Sequence, residues 1–245
     1  MSDNNLDLSS IKGSVVIIPA AGKGTRFGSS SAKQYQLIDG KPLLEYTIAL
    51  FLENKKIDKV VLVISSEDSS YQDLPSIDNE NIIIIDGGEE RQDSVSNALR
   101  FLYDNQLSDE TPILVHDAVR PCLSANDIDR LLKAYEKENG AYFLAERISN
   151  SLKRLDQDMK VEGSVDREHV VNALTPQMAP FLVLKHAYSA TNMAGLKITD
   201  EVGALTNNDV EVRAIFSEDL NPKITFPKDL ELAKNIIESR KNASL

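Results

Sequence analysis

Short apolar runs alternate along this chain with longer segments in which apolar residues recur every three or four positions. The runs are rich in β-branched residues and predict buried strands, whereas the longer segments predict amphipathic helices. The predicted strands are 15–18, 60–64, 82–85 and 113–115. The predicted helices are 42–52, 94–103, 124–138 and 227–241. Because strands and helices alternate, we expect an α/β fold whose mostly parallel sheet is flanked by helices.

This alternation breaks between Ala141 and Leu174, where the segments become short and polar residues interrupt them. Residues 151–155 and 161–165, joined by a turn around Gln157, predict a weakly buried β-hairpin that projects from the sheet. Such a hairpin is marginally stable alone, so we expect it to pack on another surface, most simply a second subunit. Without an internal repeat or linker, the sequence favours one domain over 1–245, with this β-arm inserted at about 148–170.

The composition narrows the classes of function. The 245 residues include 27 Lys and Arg against 38 Asp and Glu, a net charge of −11, which argues against general binding to nucleic acid or membrane surfaces. No apolar run approaches the ~18 residues that span a bilayer. A single cysteine, Cys122, excludes an internal disulfide and a multi-cysteine metal site. The first ten residues carry two Asp and no Lys or Arg, unlike a targeting signal, so we expect a cytoplasmic protein.

Ligands of open α/β sheets bind at the carboxyl ends of the strands, so the segment after 15–18 comes first. Its sequence over 19–28 is Pro-Ala-Ala-Gly-Lys-Gly-Thr-Arg-Phe-Gly. This segment lacks the spacing of a Walker A loop. It also lacks the third glycine of a dinucleotide fingerprint, because Phe27 stands at that position. No acid occurs from 8 to 38, although Lys23, Arg26 and Lys33 do. A cationic, glycine-rich loop predicts a polyphosphate site, and the alternative is a tight turn with solvated lysines.

Two further strand ends carry candidate chemistry. After 82–85, the glycine pair Gly87-Gly88 exposes backbone groups to a ligand edge, or forms a plain turn before a helix. After 113–115, Asp117 must be paired or hydrogen-bonded if buried: with a ribose hydroxyl, a metal ion, or Arg120 in an internal ion pair. His116 beside it suggests a Ser-His-Asp triad, but no serine has the context of a nucleophile elbow, so we interpret His116 as a structural hydrogen-bonding residue.

These segments occur in one order together with several shorter motifs. They are Pro19-Ala-Ala-Gly-x-Gly-x-Arg26, Lys33-Gln-Tyr35, Asp86-Gly-Gly88, Arg91-x-Asp-Ser-Val95, His116-Asp-Ala-x-Arg-Pro121, Thr175-Pro-Gln177 and Thr199-Asp-Glu201. The ordered set closely resembles the 2-C-methyl-D-erythritol 4-phosphate cytidylyltransferase family over essentially the whole chain. The resemblance implies a Rossmann-like domain whose β-arm interlocks two subunits of a homodimer. It also implies transfer of CMP from CTP to methylerythritol phosphate, with Mg²⁺ and release of pyrophosphate.

The resemblance also implies roles for individual residues. The implied catalytic cations, which grip the triphosphate and the transition state, are Arg26, Lys33 and Lys223. The implied nucleotide-binding residues are Ala20, Ala21, Gly22, Lys23, Gly24, Gly88, Glu89, Ser94 and Asp117, the last also near Mg²⁺ on the CTP phosphates. The implied substrate-binding residues are Arg120, Thr175 and Thr199, with Ser151 and Arg167 reaching over from the arm of the other subunit.

Three departures from the family pattern concern mostly the acceptor side. Ala32 replaces the usual proline before Lys33, Asn150-Ser151 replaces Asp-Thr on the arm, and Glu146-Arg147 is atypical. Other functions remain open at this stage. A ribitol-5-phosphate cytidylyltransferase shares the chemistry, and a non-catalytic nucleotide-binding module shares the loop. A nucleotide-sugar glycosyltransferase would want an Asp-x-Asp metal motif at the end of a buried strand, and none follows 15–18, 60–64, 82–85 or 113–115.

Overall fold

A computed structural model describes residues 6–22 and 32–243 of the chain. The strands are β1 (Ser14–Pro19), β2 (Leu37–Ile38), β3 (Lys41–Pro42), β4 (Ile57–Ile64), β5 (Ile82–Asp86), β6 (Pro112–Val115), β7 (Ala141–Arg147), β8 (Leu152–Leu155), β9 (Val161–Val165), β10 (Val171–Pro180) and β11 (Val212–Phe216). The helices are α1 (Leu43–Leu52), α2 (Arg91–Asp104), α3 (Ala125–Lys137), α4 (Phe181–Met193), α5 (Glu201–Thr206) and α6 (Lys228–Ala243).

Seven strands form the central sheet, in the order β11-β7-β10-β6-β1-β4-β5. β1 pairs parallel with β4 and β6, β4 with β5, and β7 with β11. β10 runs antiparallel to both of its neighbours, β6 and β7. The sheet is therefore mostly parallel, as expected, and one reversed strand lies in its middle.

The central strand β1 shows why this sheet needs helices on both faces. Successive side chains of a strand point to opposite faces, and every residue of Val15–Ile18 is fully buried. Val16 and Ile18 join a cluster that includes residues of α1 and α3. Val15 and Ile17 join a cluster with residues of α2 and α4. Because full burial of such a side chain stabilises the fold by about 1.5–3 kcal/mol, this short run is a strong determinant of the α/β arrangement.

The structure confirms the four predicted strands and the four predicted helices, with small shifts at their ends. The hydroxyl of Ser124 caps α3, accepting a bond from the Asp127 N–H at 3.1 Å. Two expectations were wrong. The 82–85 run lies in β5 at the edge of the sheet, where Ile84 is 38% exposed rather than buried. The irregular region 141–174 contains two strands of the main sheet, β7 and the start of β10, which its polar residues concealed.

The predicted hairpin is present as β8 and β9, which form a separate two-stranded antiparallel sheet. It lies between β7 and β10 in the chain, and none of its residues is buried. Leu155, Met159 and Val161 are its large exposed apolar residues, 43%, 74% and 63% exposed. Within 6–22 and 32–243, no helix is long and apolar enough to cross a membrane.

Candidate active site at the carboxyl ends of the strands

The three strand ends singled out from the sequence meet at one cavity of about 250 Å³. The segment after β1 contributes Pro19–Gly22, the segment after β5 contributes Gly88–Arg91, and the segment after β6 contributes Asp117–Val119. The other lining residues are Lys33, Gln34, Ser94 and Lys223. Parallel strands carry their carboxyl ends to one edge of the sheet, so segments distant in the chain come together here.

The glycine pair after β5 lets the backbone approach its neighbours closely. A Cβ on Gly87 would lie 2.5 Å from the Ala21 Cβ, and a Cβ on Gly88 would overlap the Cβ of Asp93. The Gly88 N–H donates to the Ser94 hydroxyl at 3.2 Å, and that hydroxyl donates to the Glu90 carbonyl at the same distance. These two bonds fix the turn that forms one wall of the cavity.

Lys33 opens a short 3-10 turn whose next two residues are anchored to the fold. The buried Gln34 amide donates to the Ala20 carbonyl at 2.7 Å. The Tyr35 hydroxyl donates to Asp68 at 2.7 Å. Burial, followed by this bond to the carboxylate, raises the pKa of the Tyr35 phenol, so it stays protonated as a donor. Lys33 thus lies at the cavity on a segment tied to the ends of β1 and β4.

Asp117 is the electrostatic centre of the site. Its Oδ1 lies 3.3 Å from Arg91 Nε, while Oδ2 lies 3.2 Å from Arg120 Nε and 2.9 Å from Lys223 Nζ. Burial alone would raise the pKa of this carboxyl, but Arg91, Lys223 and Arg120 outweigh it and hold the pKa well below its usual value. The predicted pairing of Asp117 with Arg120 is present, and two further cations share the carboxylate.

Arg91 was not among the predicted site residues, although its motif was noted. Its guanidinium makes a bidentate pair with the buried Glu201, at 2.8 and 3.1 Å. Tyr188 donates its hydroxyl to the same carboxylate at 2.7 Å. Burial would lower the pKa of Arg91, but Glu201 and Asp117 more than compensate and raise it. In the sequence, the one sign of this ion pair is that two motifs 110 residues apart carry opposite charges. The sequence does not show that these motifs meet, because only the folded chain brings them together.

His116 and Thr175 form a hydrogen-bonded layer beneath Asp117. The His116 Nε2 lies 3.1 Å from the Arg120 carbonyl, which can only accept, so this nitrogen carries the proton. The Thr175 hydroxyl then donates to Nδ1 at 2.9 Å and accepts from the Asp117 N–H at 3.2 Å. Burial lowers the pKa of His116 to about 4, which keeps the ring neutral. His116 is thus a structural hydrogen-bonding residue, and Thr175, 4% exposed, lies behind the site rather than in it.

Asn221, which sequence reasoning missed, ties the Lys223 segment to this layer. Its carbonyl accepts from Arg120 at 2.7 Å, and its amide donates to the Thr175 carbonyl at 2.9 Å. Lys223 follows two residues later, with 41% of its side chain exposed. Both contacts to Asn221 therefore help to hold Lys223 against Asp117.

The remaining predicted residues lie elsewhere or outside the described chain. Ser151 and Arg167 are exposed on the hairpin and at its base, and Thr199 is exposed just before α5. None of the three lines the cavity. Lys23, Gly24 and Arg26 lie outside the described residues.

A second cavity, of about 480 Å³, adjoins the first. Lys223 lines both cavities. The second cavity is lined by Arg120, which contacts Asp117, and by Asn221. It is also lined by Glu146 of β7 and Asn172 of β10. The structure therefore offers two adjacent spaces that meet at a cation.

The described residues also bear on where a divalent metal ion could bind. Among them, the one cluster of three closely spaced ligand groups is Asp166, Glu168 and His169, which is exposed at the base of the hairpin and lines neither cavity. Within the first cavity, Asp117 offers an ionised carboxylate. Mg²⁺ commonly takes one or two protein carboxylates and completes its shell with substrate phosphates and water. Asp117 matches that pattern in residue type, and both of its oxygens also face cations.

Comparison with known proteins gives one consistent result. Residues 14–239 match the family described as IspD, 2-C-methyl-D-erythritol 4-phosphate cytidylyltransferase. Proteins of that name from Shewanella loihica and Acinetobacter baylyi are 38% identical over 229 residues and 39% identical over 226. The first alignment covers 92% of this chain and 93% of the relative, and the second covers 92% and 94%.

Solved structures agree with the sequence relatives. The crystal structure of the Francisella tularensis cytidylyltransferase of this name superposes with a TM-score of 0.77 at 31% identity, covering 92% of this chain and all of that one. The crystal structure of a 4-diphosphocytidyl-2C-methyl-D-erythritol synthase reaches a TM-score of 0.80 at 28% identity, with coverage of 93% and 100%. The chain therefore belongs to the 2-C-methyl-D-erythritol 4-phosphate cytidylyltransferase family.

Proposed function

We propose that this protein transfers the CMP group of CTP to 2-C-methyl-D-erythritol 4-phosphate, and that it forms the diphosphocytidyl product and pyrophosphate for isoprenoid biosynthesis. The observation that carries the mechanism is the meeting of the two cavities at Lys223, beside Asp117. The glycine-walled cavity suits the nucleotide. The second cavity suits the acceptor, whose phosphate would then approach the α-phosphorus from the side of Lys223.

The reaction needs positioning and charge neutralisation more than a protein nucleophile. An oxygen of the acceptor phosphate, already anionic, forms a bond to the α-phosphorus. The bond from that phosphorus to the oxygen bridging the β-phosphate breaks, and pyrophosphate leaves with the electron pair. Among the described residues, four cations line the two cavities, namely Lys33, Arg91, Arg120 and Lys223, and so do the carboxylates of Glu89, Glu90, Asp117 and Glu146. Cations placed around the reacting phosphates would stabilise a polyphosphate transition state.

The backbone around the first cavity suits recognition of the nucleoside. Ala20, Ala21 and Gly22 leave room for a close approach, and the Gly88 turn, which packs beside Ala21, presents main-chain groups to the same cavity. Ser94 orders that turn, and Glu89 lies on its exposed side. Lys23, Gly24 and Arg26 stay predicted contacts to the phosphates.

Mg²⁺ fits the chemistry of this site through Asp117. When bound, the ion would neutralise charge on the triphosphate, and Asp117 would hold it together with phosphate oxygens. The ionised state of Asp117, maintained by its three cationic neighbours, is the contribution of this chain.

We also propose that the protein works as a homodimer in the cytoplasm. The exposed hairpin supports this assignment, because Leu155, Met159 and Val161 would gain burial against a second copy. In that arrangement Ser151 and Arg167 would contact the acceptor phosphate in the site of the other subunit, while Thr199 would lie near the acceptor in its own.

Pyrophosphate release with CTP and Mg²⁺ tests the proposed function. We expect release with 2-C-methyl-D-erythritol 4-phosphate and little with ribitol 5-phosphate. Release with ribitol 5-phosphate alone would overturn the acceptor and keep the cytidylyltransferase chemistry. Binding of CTP without release with either acceptor would identify a non-catalytic nucleotide-binding protein.

A further inference from the structure

The second cavity has a polarity that the nucleotide site does not explain. Arg120 and Lys223 stand at the end that adjoins Asp117. The lining also includes Glu146 of β7 and Asn172 of β10, and among the described residues Glu146 forms an ion pair with neither cation. A ligand in this space would therefore meet the two cations and the carboxylate as separate groups.

Cross-strand pairing fixes the position of Glu146. It lies directly opposite Asn172 in the β7–β10 ladder, and such pairs project to the same face of the sheet. The Asn172 amide donates to Glu146 Oε2 at 3.2 Å. In the described part of the chain Oε1 has no hydrogen-bond partner, and Glu146 is exposed to the cavity. The carboxylate is thus oriented and retains capacity to accept hydrogen bonds.

The charge of Glu146 is not cancelled by the next residue. Arg147 points to the other face, where its guanidinium stacks on the Phe216 ring 4.0 Å from the centroid. The cavity therefore keeps a charged carboxylate at Glu146 in addition to the cations Arg120 and Lys223.

We propose that Glu146 is a specificity-determining residue that accepts hydrogen bonds from hydroxyl groups of the acceptor. This inference rests on the proposed function and deepens it. A polyol phosphate matches the polarity of the cavity, because its phosphate is drawn to Arg120 and Lys223 and repelled by Glu146, while its hydroxyls donate to the carboxylate. The same carboxylate rejects an acceptor that carries a second acidic group at its far end.

The test measures kcat and KM by pyrophosphate release for wild type, Glu146→Ala and Glu146→Gln. For methylerythritol phosphate, we expect Glu146→Ala to lower kcat/KM about 10- to 100-fold, the range of a hydrogen bond to a charged group. Glu146→Gln keeps an acceptor oxygen and should lose less. The KM for CTP should not change in either variant. Glu80→Ala is the control, since Glu80 is exposed beside β5, at the far edge of the sheet.

A second probe separates charge from simple packing. Erythronate 4-phosphate carries a carboxylate at the end away from its phosphate, and we expect wild type to discriminate against it more strongly than Glu146→Gln does. Two results would overturn the role of Glu146 while leaving the proposed function intact, provided that the wild type is active. One is that Glu146→Ala has the same kcat and KM for the acceptor as wild type. The other is that Glu146→Gln discriminates against erythronate 4-phosphate as strongly as wild type does. A wild type that turns over neither methylerythritol phosphate nor ribitol phosphate would overturn the proposed function and this inference with it.

Discussion

Replacing Arg91 by methionine is the sharpest test of how the site is held together. The substitution keeps the length and apolar stem of the side chain but removes the guanidinium. Glu201, 1% exposed, would lose its two charge-assisted hydrogen bonds at 2.8 and 3.1 Å, and the bond from Tyr188 is the one that would remain from the described side chains. Asp117 would lose one of its three cations.

The magnitude follows from the burial of the carboxylate that remains. Breaking a buried ion pair from one side costs about 3–5 kcal/mol, because an uncompensated charge stays in the interior. For a chain of this size, each kcal/mol lowers Tm by about 2–4 °C, so we expect a loss of about 6–20 °C. A buried carboxylate without its cation is relieved by protonation, so the deficit relative to wild type should shrink as the pH falls from 8 to 5.

Urea unfolding at several pH values is the assay, with Arg100→Met as the matched control. Arg100 is exposed on the same helix, α2, and its replacement should change the free energy of unfolding by less than about 0.5 kcal/mol. The double variant Arg91→Met/Glu201→Gln removes both charges and should recover at least half of the loss, with no dependence on pH. A loss below about 1 kcal/mol in the single variant, or no recovery in the double, would refute the reasoning.

Three further outcomes are expected. Lys33→Ala should lower kcat by about 10²–10³ with unchanged unfolding, and Lys137→Ala, an exposed control on α3, should leave kcat unchanged. Ala32→Pro should raise the free energy of unfolding by about 0.4–1 kcal/mol in a urea titration, because φ −61° and ψ 142° at Ala32 already suit proline. Because its folded pKa is depressed, Asp117 stabilises the fold above its unfolded pKa and loses that contribution as the pH falls, so the stability difference between wild type and Asp117→Asn should shrink from pH 6 to pH 3. A difference that stays constant over this range would contradict the coupling of Asp117 to its cations.

The central part of the fold was predictable because its strands are dense in β-branched residues. β1, β4 and β6 are buried on both faces, so their sequences carry continuous apolar runs. β7 and β10 were missed for the opposite reason. In β7, Glu146 and Arg147 end a short apolar run at 141–145, and in β10 the buried Thr175, Pro176 and Gln177 break the apolar pattern. β10 also contains a bulge between Ala173 and Gln177.

The residues of the candidate site also divide into those that the sequence predicts and those that it does not. Residues on one continuous segment, such as Gly88 with Ser94 or Asp117 with Arg120, were predictable because their spacing along the chain places them together. The pair of Arg91 and Glu201 was not, since each residue alone is an ordinary helix-end charge. Only the packing of α2 against α4 and α5 brings them into contact.

The single reversed strand of the sheet has an evolutionary consequence. Because β10 runs against β7, both ends of the hairpin segment emerge at the same edge of the sheet as the nucleotide cavity. The segment 148–170 can therefore change in length or sequence while the hydrogen bonds between β7 and β10 keep these two strands in register. The fold thus separates the strands whose ends form the cavity from an insertion whose length and sequence the sheet does not constrain, so this insertion is where the chain can change with least effect on the sheet.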